Sequence, residues 1–333
     1  MAGEEAARFV RRAGVSVSTE LVEQLESDVR RLASDYLIRP PFHMFHPLAE
    51  LRAEVFDILD RHPRLEFLRD LYSLGGRLSA LLAHASSDLG NSSAADSHAR
   101  TAWICADLAG DRRLGAYTRW IQSNVAYWSV DYSAAARIAR TGREVADHPN
   151  DELRLASQEA RAHAAQRDEH GARDALQAVG ILRDRLAGSP GMDGVFHFGP
   201  GKAAYYSSEA RLALGGPRNV GLAITDAQES LRLLAGSSVQ DGSRELIAAA
   251  RLDLTSALIA DNDLDAAVEA IQPVLAVPAE SRTVPVIGRI GGVGRSVAQA
   301  FPGVVRADDL RERIALFQAY PAARELPSIL GTT

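Results

Sequence analysis

The sequence predicts an all-α fold: a solenoid of helical hairpins, wound as a right-handed superhelix, with capping helices at both ends. Three observations predict it. Small residues recur three or four apart directly after short turns rich in Gly, Asn and Asp, five times along the chain. Hydrophobic residues make up 46% of the 333 residues, yet aromatics only 6%, and alanine is abundant, which suits closely packed helices better than sheets. No alternating strand pattern persists long enough to compete.

The elements follow in order. Glu4–Ala13 reads as a short charged helix. Ser18 is placed to cap a second helix, with Leu21, Leu25, Val29 and Leu32 on one face; it runs to about Leu37 and stops at Pro40–Pro41. A third helix is expected from Pro47 to Arg61. These three form an N-terminal cap, residues 1–64. Repeats fill 65–280. Their turns lead into Ala95, Ala99 and Ala102; Ala135, Ala139 and Gly142; Ala172, Leu176 and Val179; Ala223 and Ala227; and Ala267, Ile271 and Val274. The intervals between first members run from 37 to 51 residues. The unit is clearest from Leu114 to Pro149, where larger residues on one helix fill the space against the small stripe of the next. Such a hairpin cannot bury its own apolar face and needs neighbours on both sides. The longest irregular segment is Gly188–Gly201. Residues 281–333 are expected to hold a Gly-rich connector, Ile287–Ser296, and a capping helix from Asp308 to about Ala319.

Bulk properties narrow the function. A net charge of −6 argues against a surface dominated by phosphate contacts. The single cysteine, Cys105, cannot form an internal disulfide and reads as a small core residue in a reducing compartment. The N-terminus lacks the basic and apolar regions of a secretion signal, and no run approaches the roughly 18 apolar residues of a membrane span. The expected location is cytoplasmic, with no membrane partner.

Motifs that imitate chemistry fail on spacing. Asp261–Asp265 begins like a calcium loop, but Ala266 and Gln272 stand where that loop needs Gly and Glu. Gly288, Gly291, Gly292 and Gly294 resemble a phosphate loop, but the terminal glycines are one residue too far apart and Arg295 replaces Lys. His43 and His46 have no third ligand at recognisable spacing. No nucleophile–base arrangement is framed by a catalytic motif. The expectation is therefore no catalytic residues, no metal, no cofactor and no enzymatic activity.

A more informative set comes from helical phase. In stacked hairpins the first helix of each pair lines the inner surface. Counting back from each small stripe, those positions hold Arg77 and His84; Tyr117, Trp120, Asn124, Tyr127 and Trp128; Arg154 and Arg161; and Lys202, Tyr205 and Glu209. This mixture of cations, amide and aromatics suits a recognition groove. Two blander readings stay open: Trp120 and Trp128 pack between hairpins, and the cations lie on a solvated face or pair internally with Glu159 or Glu209.

The hairpin spacing resembles the tetratricopeptide repeat, whose period is about 34 residues. Longer phrases, LYSLGGRLSALLAHASSDLG (Leu71–Gly90), HARTAWICADLAG (His98–Gly110), IQSNVAYWSVDYSAAARIARTG (Ile121–Gly142), LRLASQEARA (Leu153–Ala162) and GKAAYYSSEARLALGG (Gly201–Gly216), resemble the TPR-like region of actinobacterial helix-turn-helix transcriptional regulators. The likeness runs from about Glu4 to Phe317. It implies a setting in bacterial transcriptional regulation; the repeats themselves imply binding, so the expectation is a sensor or scaffold taking a peptide, a small signal molecule or a protein partner in its groove. Those regulators carry a DNA-binding domain ahead of this region, and none is readable here. Direct nucleic-acid binding is then not expected without another domain. The alternative is a DNA-associated regulator acting as a homodimer or with a separate DNA-binding subunit.

Overall fold

The computed structural model describes residues 17–186, 194–236 and 244–319, and every regular element among them is helical. The predicted Glu4–Ala13 helix lies outside the described residues. Fourteen α-helices follow: α1 (Thr19–Asp35), α2 (Pro41–Asp60), α3 (Leu65–Asp88), α4 (Ser92–Ala109), α5 (Arg112–Trp128), α6 (Tyr132–Val145), α7 (Pro149–Ala165), α8 (Glu169–Arg185), α9 (Pro200–Leu214), α10 (Pro217–Gly236), α11 (Arg244–Ala260), α12 (Leu264–Leu275), α13 (Val284–Ala300) and α14 (Val305–Ala319).

Local chemistry starts these helices where the sequence places capping residues. Ser18 Oγ accepts the backbone N–H of Leu21, and Asn91, Asp111, Asp131, Asp168 and Asp263 each accept the N–H three residues on. Each such bond satisfies a donor that the first helical turn leaves orphaned, a contribution of about 1 kcal/mol. In five of the turns the residue just before the cap is left-handed: Gly90, Gly110, Val130, Arg167 and Asn262. One turn geometry thus recurs along the chain.

Packing follows an odd–even rule. Each odd-numbered helix touches the next odd one, from α1 through α13, and from α3 onward each forms a hairpin with the helix that follows it. The small residues of the even helices are the reason the hairpins close tightly: Ala95, Ala99, Ala102, Ala135, Ala139, Ala172, Ala223, Ala227 and Ala267 are fully buried. Two hairpins add the same buried hydrogen bond. Ser123 Oγ donates to Ala135 O at 2.7 Å, and Ser208 Oγ donates to Ala223 O at 2.9 Å. The apolar core is a succession of clusters, one reaching from α1 to α7, one around α7 to α11, and one from α11 to α14.

Two boundaries differ from expectation. Helix α2 begins at Pro41, six residues before Pro47, because Pro41 at the first helical position suits the fixed φ of proline and brings Met44 into line with Leu48, Leu51 and Val55. The larger correction is the Gly-rich stretch 287–296, expected as a connector, which is the middle of α13. Glycine costs roughly 1 kcal/mol per helical position relative to alanine. Burial of Val286, Ile290, Val293 and Val297 offsets that, at about 1.5–3 kcal/mol each. The glycines also have a packing use. A Cβ on Gly294 would lie 3.2 Å from Ile314, and one on Gly291 would lie 2.6 Å from Gln318, so their absence of side chain lets α14 lie close. The C-terminal helix starts at Val305, three residues before Asp308.

Candidate functional site

Helix α7 is buried on almost every side, which is unusual for a helix so polar. Asn150, Asp151, Arg154, Ser157, Gln158, Glu159 and Arg161 are all buried along it. Arg154 and Arg161 are each only 2% exposed, so neither belongs to a solvated face. Both open onto one cavity of about 120 Å³. That space has room for several water molecules, since one needs roughly 10–15 Å³.

Every odd helix from α1 to α11 reaches this cavity. Tyr36, the C-cap of α1, and Leu37 directly after it come from that helix's end, His84 and Asp88 from α3, and Trp120, Asn124 and Trp128 from α5. Lys202, Tyr205 and Tyr206 come from α9, and Leu246 and Ala249 from α11. The remaining wall is Val195 and Phe198, from the segment between α8 and α9.

That segment is fixed by three features. Gly194 has φ +61°, and a Cβ there would fall 2.4 Å from the backbone of Ala33, so only glycine lets the chain lie against α1. Asn150 clamps Phe198 at both ends: its Nδ2 donates to Phe198 O at 2.7 Å, and Phe198 N–H donates to its Oδ1 at 3.2 Å. Arg154 Nη2 donates to Phe196 O at 2.7 Å and Val195 O at 3.4 Å, and Lys202 Nζ donates to His197 O at 2.8 Å.

The cations sit in aromatic surroundings of two kinds. At one end, the Arg154 guanidinium lies 4.5 Å from the Tyr117 ring centre, 5.0 Å from Trp120 and 5.4 Å from Phe198. No carboxylate among the described residues is within ion-pairing distance of it, and its Nε has no hydrogen-bond partner. The nearby Asp151 is engaged by Arg113 at 3.1 Å. At the other end, Arg161 stacks 4.0 Å over Tyr127 and 4.6 Å from Tyr206, and its Nε is 3.6 Å from Glu209. Glu209 also accepts from Tyr127 Oη at 2.7 Å and from Arg289 of α13, which donates to Asp253 at 2.8 Å.

The titration behaviour follows from this layout. Burial, then the charges of Arg154 and Lys202, hold His84 down at about 3, so it is neutral near pH 7 although Asp88 is 3.8 Å away. Its Nδ1 is 3.1 Å from Tyr117 Oη, and its ring stacks on Tyr36. Burial alone would raise Glu209, but Arg161 and Arg289 reverse this and hold it well below the carboxylate range. Asp253 moves the other way: burial raises it, Arg289 opposes, and Glu209 adds to the rise.

Of the twelve residues singled out by phase, His84, Trp120, Asn124, Trp128, Arg154, Arg161, Lys202 and Tyr205 line the cavity. Tyr117, Tyr127 and Glu209 stand directly behind it. Arg77 stands apart, 3.7 Å from Asp111 at the base of α5. The sequence reading did not reach Tyr36, Phe198, Tyr206 or Arg289. Tyr206 was within reach, being the neighbour of Tyr205. Arg289 was hidden inside the presumed connector, and no local signal marks Phe198.

Other candidates are placed elsewhere. His46 is exposed and 3.2 Å from Glu50, while burial raises the Cys105 thiol to about 11. Among the described residues no group of three His, Cys, Asp or Glu could hold a metal ion, and no helix is long and apolar enough to cross a membrane. No protein-family model matches this chain, and no curated protein is detectably similar to it in sequence.

Proposed function

We propose that this chain is a non-enzymatic binding or sensor protein, built as a TPR-like solenoid whose inner helices hold a ligand in the cavity centred on α7. One observation carries the reading: every odd helix from α1 to α11 contributes to a single buried lining of cations and aromatics. A cavity walled by alternate helices along the chain reports on their relative positions. A ligand that prefers one curvature of the array shifts the population toward it, with no other machinery required. Binding rather than turnover suits the titratable groups of the lining. His84 is held near 3 and burial drives Tyr205 and Tyr206 upward, so none of these three is poised for proton transfer near neutral pH. The regulatory setting comes from the likeness to actinobacterial regulators; the protein, peptide or small-molecule partner comes from the groove residues, and the cytoplasmic location from the single cysteine and the sequence of the N-terminus.

The test is a capture experiment from the native cytosol with the wild-type chain and with Arg154→Gln, analysed for bound proteins and small molecules. A species retained by the wild type and lost from the variant is the expected result. Identical recovery by both would remove the cavity from the function.

A further inference from the structure

We infer that the cavity takes a small organic monocarboxylate, its carboxylate held by Arg154 and its apolar body lying toward Trp128 and Leu246; this rests on the binding reading above. The charge balance at the two ends of the cavity is the ground for it. Arg161 has Glu209, and Glu209 is shared with Arg289, so that end is compensated within the protein. Arg154 is as deeply buried but has no carboxylate at ion-pairing distance: it meets two backbone carbonyls, three ring faces and the Tyr117 hydroxyl, and the farther Asp151 is shared with Arg113. Rings and carbonyls solvate a guanidinium without neutralising it, and leaving a buried charge uncompensated costs several kcal/mol. Its Nε–H remains without a partner while the residue lines the cavity; Arg161 also keeps two nitrogens without a hydrogen-bond partner, so what sets Arg154 apart is the missing carboxylate. An anion arriving there supplies both the missing charge and the missing acceptor. A planar carboxylate matches a guanidinium edge, which an inorganic phosphate does with more water to lose. Beside the polar groups His84, Asp88, Asn124, Arg161 and Lys202, of which Asp88 accepts from Tyr36, the lining is ring faces and aliphatic carbon, which reward an apolar body and give little to a free inorganic ion. The cavity, about 120 Å³ and partly open to solvent, has room for a small molecule.

The three tryptophans of the chain include Trp120 and Trp128, so intrinsic fluorescence reads occupancy directly. The probes are benzoate, phenylacetate and hexanoate, with benzamide as the neutral match for benzoate and inorganic phosphate as the bare anion. Saturable quenching by at least one carboxylate, with benzoate or its congeners favoured over benzamide and phosphate, is the expected result. Arg154→Gln should weaken the carboxylate by at least roughly tenfold, the scale of a charge-assisted hydrogen bond, and erase the preference over benzamide. Arg154→Lys keeps the charge and should retain part of the preference. Because Arg154 also holds the 194–198 wall, Asn150→Ala serves as the structural control: it loosens the same wall yet should preserve the carboxylate-over-amide preference. The inference falls if none of the carboxylates saturates the quenching, if phosphate or benzamide binds as well as benzoate, or if Arg154→Gln keeps the preference. Loss of a captured cytosolic partner from Arg154→Gln alongside any of those results would leave the binding reading standing and remove only the carboxylate.

Discussion

Helices α7 and α14 are both packed on the same kind of scaffold, but they are buried in opposite ways. Helix α14 presents Leu310, Ile314 and Phe317 to Ile290 and Val293 of α13, an apolar contact with polar residues left outside. Helix α7 buries its polar residues as well, and its arginines face a cavity instead of water. The first arrangement is what a chain does to be stable. The second costs desolvation of charge and side-chain entropy, and stability alone gives no reason for it. The difference teaches that buried charge is concentrated at α7, which is why the proposed binding site is placed there, and that the C-terminal hairpin is packed for stability.

The comparison can be broken most sharply at Glu209. Its carboxylate compensates Arg161 and Arg289 together, so Glu209→Ala leaves two buried guanidiniums facing each other. A loss of about 3–5 kcal/mol in urea unfolding is expected. A loss under about 1 kcal/mol would mean that the cluster is solvated and the contrast with α14 is false. Next in size, Leu310→Ala in the apolar hairpin should cost about 2–5 kcal/mol, by lost burial and the cavity left behind. That variant should leave the α7 cavity able to bind.

A smaller effect sharpens the electrostatic side. The folded chain holds His84 at about 3, while an unfolded histidine titrates near 6.5. The unfolded state therefore binds a proton that the folded state refuses. Stability from His84 is complete above about pH 6.5 and is lost as the pH falls toward 3. About 2 kcal/mol should disappear between pH 7 and pH 5, and His84→Phe should flatten that part of the profile. An unchanged slope in His84→Phe would contradict the buried, neutral histidine.

Much of the helical architecture was legible because it rests on local chemistry. Asn91, Asp131, Asp168 and Asp263 mark helix starts through bonds within four residues, and small residues at helical spacing mark the packed stripe. What escaped depends on contacts far along the chain. Helix α13 is poor in helix-forming residues, and only its burial against α11 and α14 makes Gly288–Gly294 helical; Arg289 was lost with it. The 194–198 wall has no periodicity, being held by Gly194 against α1 and by Asn150 across 48 residues. Helical phase brought eleven of the twelve candidate residues to one place but misplaced Arg77, whose carboxylate partner Asp111 is a helix cap rather than an inner residue. The two blander readings were each partly apt in geometry: Arg161 does pair with Glu209, while Trp120 and Trp128 both pack and line the cavity.

The most direct test sets one helix against the other in a single titration: benzoate affinity by tryptophan quenching in Leu310→Ala and in Arg154→Gln. The account predicts that Leu310→Ala, although less stable, binds within about twofold of the wild type, while Arg154→Gln, folded and within about 1.5 kcal/mol of wild-type stability, binds at least roughly tenfold more weakly. Equal affinity in the two variants would contradict it, because α7 would then be core like any other helix.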